Sequence, residues 1–155
     1  MKMNLEVFYS IGCKNSIEDI ADALKKTYGL EIPYYSEIEP PETAYNRKRM
    51  QYDASILLDF MIPKKGENLM LLIIDKDLYC QNMNFILGYA LPGKGAILST
   101  FRLDSRELIQ KEAIHEIGHV LGLGHCHNLC VMQFSNSVQE AMESPLNSVR
   151  NAEIL

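Results

Sequence analysis

The residue types able to do metal chemistry are gathered in one short stretch of this chain. All four histidines (His115, His119, His125 and His127) fall within thirteen residues, and Cys126 and Cys130 lie in or just beyond that window. The stretch from His115 to Met132 reads HEIGHVLGLGHCHNLCVM and opens with H-E-x-x-H. On a helix, residues four apart share a face, so His115 and His119 can bind one ion. Neutral imidazole suits Zn²⁺, and three protein ligands leave a fourth position for water. Glu116, beside the first histidine, can then reach that water as a general base. His125, six residues beyond His119, would face away on a continuous helix, offset by about 240°. It can return only if the helix stops and the chain turns sharply. Gly122 stands at that point, and glycine takes the left-handed conformation without steric penalty.

The elements that must position these residues can be read from periodicity. The apolar stripe Ala113, Ile114, Ile117, Val120 and Leu121 predicts the helix carrying the motif. Asp104 with Glu107 has the form of a capping box at its start, and Gly122 and Gly124 stop it. An earlier helix is predicted from about Ser16 to Tyr28. Leu5–Ser10, Glu31–Tyr35, Ser55–Met61, Leu69–Ile74, Asn84–Ala90 and Ala96–Phe101 read as strands. Leu69–Ile74, apolar on both faces, should be central, and Pro92-Gly-Lys-Gly95 should join the last two.

At 155 residues the chain is expected to form one α+β domain. Its net charge of −5 argues against nucleic acid or an anionic membrane surface as a partner. The longest apolar run, Leu69–Ile74, is too short to span a bilayer. With no export-type start, the chain is expected to be cytoplasmic and its cysteines to be thiols or metal ligands. Cys13 and Cys80 read as small buried hydrophobes, and Arg47-Lys48-Arg49 as a solvated or salt-bridged face.

H-E-x-x-H-x-x-G-x-x-H with a downstream methionine resembles the metzincin zinc peptidases. The cysteine directly after the third histidine, the second cysteine and Met132 are similar to the archaemetzincin branch. Arg49-Met-Gln-Tyr52, Asp77-Leu-Tyr79, Asn84-Phe-Ile-Leu-Gly88 and Ser99-Thr-Phe-Arg102 resemble that family's segments too. The resemblance implies a metzincin-like fold: a mixed, twisted sheet backed by the Ser16 helix and packed against the active-site helix. An N-terminal subdomain of about residues 1–122 would precede a small C-terminal one of about 123–155. It implies zinc on His115, His119 and His125, Glu116 as base and then acid, and Met132 as the Met-turn beneath the metal. The activity would be hydrolysis of short or unfolded polypeptides by a monomer, with the substrate paired to an edge strand, taken here as Ala96–Phe101.

The resemblance breaks in two places. Phe134 stands where some metzincins carry a tyrosine near the zinc. The family's second, structural zinc needs four cysteines, and none follows Cys130, so Cys126 and Cys130 supply only half a site. The segment 147–153 can be encoded so that a displaced frame reads Phe-Cys-Pro-Glu-Cys-stop, which would make the tail a frameshifted remnant of the zinc-binding end or a sequence error. One zinc per chain is therefore the expectation. The rival reading is a zinc-binding or peptide-binding protein without turnover, against which Glu116 argues, because a structural site needs no base.

Overall fold

The computed structural model of the chain describes residues 3–124. Strand β1 (Asn4–Tyr9) leads through a 3₁₀ turn into helix α1 (Ile17–Tyr28) and strand β2 (Glu31–Glu37). Two short strands follow, β3 (Tyr45–Asn46) and β4 (Gln51–Asp53), then helix α2 (Ala54–Met61) and strand β5 (Leu69–Ile74). The remainder is β6 (Leu78–Tyr79), β7 (Gly88–Leu91), β8 (Gly95–Ser99) and helix α3 (Arg106–Val120). The main sheet has the order β2-β1-β5-β8-β7. Its pairs are parallel except β7 with β8, so the sheet is mixed. A smaller sheet runs β3-β4-β6. No helix among the described residues is long and apolar enough to cross a membrane.

The apolar run of β5 is central because both its faces are covered. Side chains alternate across a strand. Leu71 and Ile73 accordingly join one core with Ile20, Leu24, Ile114 and Ile117 from α1 and α3. Met70, Leu72 and Ile74 join a second core with Leu57, Leu58 and Met61 of α2. Helix α1 ends where Gly29, at φ +67°, donates its N–H to the Lys25 carbonyl.

Four sequence expectations are corrected. The strand read at Asn84–Ala90 begins only at Gly88, as β7, and residues 84–87 contribute a single isolated bridge, Ile86 with Leu78. Ser55–Met61 is not a strand but most of α2. The Asp53 carboxylate accepts from the Ser55 and Ile56 N–H groups at 2.9 and 3.3 Å, which starts a helix there. Ala54, Leu57, Leu58 and Met61 then bury one helical face while Ile56 and Phe60 stay exposed. The cap of α3 is Ser105, whose Oγ accepts from the Leu108 N–H at 3.1 Å, and not Asp104. Ala96–Phe101 is not an edge: β8 lies between β5 and β7, and among the described residues β7 is the edge on that side.

Candidate active site

Helix α3 ends in a turn that also orients a histidine. The Leu123 N–H bonds the Gly118 carbonyl at 2.8 Å and the Gly122 N–H bonds the His119 carbonyl at 3.0 Å, the two bonds of a Schellman motif. That motif needs a left-handed residue, and Gly122 supplies it at φ +94°. The turn carries the Leu123 carbonyl back over the helix, where it lies 2.8 Å from His119 Nδ1. A carbonyl can only accept, so Nδ1 carries the proton and Nε2 keeps its lone pair.

His119 Nε2 lies 3.2 Å from His115 Nε2, with the rings edge to face at 84°. A tetrahedral ion with bonds of about 2.0–2.1 Å would set two nitrogen ligands about 3.3 Å apart, so the pair fits zinc. Burial and the neighbouring His115 lower the His119 pKa, against the Leu123 bond that raises it, which favours the neutral imidazole a metal needs.

Glu116 lies beneath this pair, its Oε1 3.9 Å from His115 Nε2, and it is only 6% exposed. Burial first and then the Glu112 charge push its pKa well above the usual carboxylate range. Burial raises Glu112 itself to about 7. A divalent cation on the histidines would oppose both effects and favour the Glu116 carboxylate.

The floor under Glu116 is Gly88, at the start of β7. A Cβ built there would sit 2.6 Å from Glu116 Cγ and 2.9 Å from the Ile97 carbonyl oxygen. Sequence reasoning assigned Gly88 no role, although a glycine within a strand pattern is the usual sign of close backbone approach.

The structure thus brings together His115, Glu116 and His119 and places Gly122 at the turn after them. His125, Cys126, Cys130 and Met132, like His127 and Phe134, lie outside the described residues, as do the segment 147–153 and all of the expected C-terminal subdomain beyond Gly124. Among the described residues no three His, Cys, Asp or Glu side chains form a metal cluster. Cys13 is buried beside Ser10 and Thr100, and Cys80 is half-buried; burial raises both thiol pKa values. Arg49 bonds the Gln51 side chain and the Met83 and Asn84 carbonyls.

The profile of peptidase family M54 matches residues 14–147. The chain is 41% identical over 143 residues to an archaemetzincin of Archaeoglobus fulgidus, covering 88% of each. It is 47% identical over 126 residues to an archaemetzincin of Nanoarchaeum equitans, covering 81% of this chain and 74% of the relative. The crystal structure of the A. fulgidus archaemetzincin complexed with malonate superposes with a TM-score of 0.87 at 36% identity, covering 96% of both chains. That of the Methanopyrus kandleri archaemetzincin gives 0.87 at 32% identity, covering 96% of this chain and 90% of the other. The chain therefore belongs to peptidase family M54, the archaemetzincins, and is a zinc metallopeptidase.

Proposed function

We propose that the chain cleaves short or unfolded polypeptides at one zinc held by His115, His119 and His125, with Glu116 as general base and then general acid. The observation that carries this reading is the pair of Nε2 atoms 3.2 Å apart, with the Glu116 carboxylate 3.9 Å from one of them. Zinc bound there would supply Lewis acidity, lowering the pKa of its water toward about 7 and polarising the scissile carbonyl. Glu116 Oε1 accepts the proton of the attacking water and delivers it to the departing amine nitrogen. Buried against Gly88, the carboxyl has few alternative positions, so the proton is held close to where it is needed. The Leu123 carbonyl keeps the His119 ring turned toward the site. An extended peptide pairs with the β7 edge, which adjoins Glu116.

The family resemblance assigns Met132 to the Met-turn beneath the metal, and Cys126 and Cys130 are two thiolate candidates for a second zinc. The thiols Cys13 and Cys80 suit a reducing cytoplasm. The net charge of −5 fits a protein that works as a monomer on peptides and not on nucleic acid or membranes.

The test is digestion of a diverse peptide mixture, read by mass spectrometry, with the protein zinc-loaded, stripped by a chelator, and reloaded. Cleavage is expected in the first and third states only. Cleavage that survives stripping, or none from the loaded protein, would overturn the proposal.

A further inference from the structure

Four sequence segments outside the zinc motif converge on one network. Arg102 makes a two-pronged ion pair with Asp77, Nε and Nη2 each 2.8 Å from a carboxylate oxygen. Gln51 Nε2 donates to the same carboxylate at 2.9 Å and to the Asn84 carbonyl at 2.9 Å. The other end of that amide is fixed as well, because Gln51 Oε1 accepts from Arg49 Nε at 2.9 Å. Arg49 Nη2 reaches the Met83 and Asn84 carbonyls at 2.7 and 3.2 Å, and its guanidinium lies 4.0 Å over the Tyr79 ring. Arg102 covers the Phe85 ring at 3.8 Å. Burial raises the Asp77 pKa, but the hydrogen bonds from Arg102 and Gln51 outweigh it and keep the carboxylate charged.

Every connection ends on residues 83–85 or on a side chain that holds them. Apart from these side chains, residues 83–87 are held by the Met83 N–H to the Cys80 carbonyl, the Ile86 N–H to the Leu78 carbonyl, the Ser99 N–H to the Leu87 carbonyl, and the packing of Ile86 and Leu87 on the two cores. It runs directly into Gly88 and the β7 edge, on which the proposed peptide docks.

We propose that Arg49, Gln51, Asp77 and Arg102 form a brace of positioning residues that holds residues 83–87, and through them the β7 edge, in register for an extended peptide substrate. The hydrogen bonds and ring contacts of the brace run among residues 49–51, 77–85 and 102, away from the motif of α3, so it acts on substrate binding more than on the chemical step. This inference rests on the peptidase reading and on β7 as the docking edge.

The test uses Gln51→Met, which removes the amide, and Gln51→Glu, which keeps the shape but sets a carboxylate oxygen against Asp77 and the Asn84 carbonyl. The substrates are an octapeptide that the wild-type zinc enzyme cuts and the shortest fragment of it still cut. KM for the octapeptide is expected to rise about 5- to 20-fold in Gln51→Met and further in Gln51→Glu, with kcat within about twofold. The short fragment and the zinc content should be unaffected. Amides of residues 83–88 should exchange with deuterium faster in both variants, a readout that needs no activity. Arg102→Lys, which loses the second prong and the cover over Phe85, serves where a Gln51 variant does not fold and should behave alike. An unchanged octapeptide KM in folded variants, or an equal rise for both substrates, overturns the brace alone. No cleavage by the wild-type enzyme overturns the peptidase reading and the brace together.

Discussion

Replacing Glu116 with glutamine is expected to lower kcat about 10³-fold, within the 10²- to 10⁴-fold range of a lost general base. Glutamine has the same shape, so the fit against Gly88 survives, but its amide cannot take a proton from water. Zinc content should not change, because the carboxylate stands 3.9 Å from His115 Nε2 and outside the set of ligands. Stability should hold or rise. Burial and the adjacent Glu112 make a charged Glu116 costly, and an amide removes that cost. The measurements are kcat on one peptide, bound zinc, and the thermal midpoint. Unchanged turnover with zinc bound would take the base role from Glu116.

Gly88→Ala should have the next largest effect, for a steric reason. Gly88 has no positive φ to demand glycine. Its Cβ would instead collide with Glu116 Cγ at 2.6 Å, Cδ at 2.9 Å and the Ile97 carbonyl oxygen at 2.9 Å. Ile97 is in β8, paired on both sides, so the backbone cannot withdraw cheaply. Either β7 moves outward or the carboxylate is displaced. Overpacking of this kind costs about 1–3 kcal/mol in stability. A shift of about 1 Å in a catalytic group can cost about 10²-fold in rate, and a loss of roughly that size in kcat is expected. Gly95→Ala is the control. Its Cβ would collide with Met70 Cγ and crowd the Met70 carbonyl oxygen at 2.9 Å, at the far end of the β7–β8 ladder and against the α2-side core. It should lose comparable stability in urea unfolding with a much smaller loss of kcat. Equal losses of kcat in the two variants would mean that Gly88 serves only packing.

What could be read in advance was set by neighbours in sequence. The α1 stripe and its Gly29 stop, the doubly buried run of β5 and the α3 periodicity are local patterns, and the elements stand where those patterns put them. The pairing of His115 with His119 follows from helical spacing alone. Helix α2 was lost because its run of leucines and isoleucine suits a strand as well, and the deciding group is the Asp53 cap just before it. Strand order is a property of distant segments: β5 lies beside β1 across α1, β2 and α2, so the edge could not be assigned locally. Asn84–Leu87 has strand-like composition, yet the segment is held largely by side chains 30 or more residues earlier. Gly88 was visible as a glycine in a strand, but its partner, Glu116, is 28 positions away.

The central claim is that one zinc sits on the histidines of α3. Anomalous diffraction at the zinc edge from crystals of the zinc-loaded protein measures this directly. A peak is expected about 2.0–2.1 Å from both His115 Nε2 and His119 Nε2, with His125 as the third protein ligand. A peak lying elsewhere, or none at this pair in protein that cleaves peptides, would contradict it.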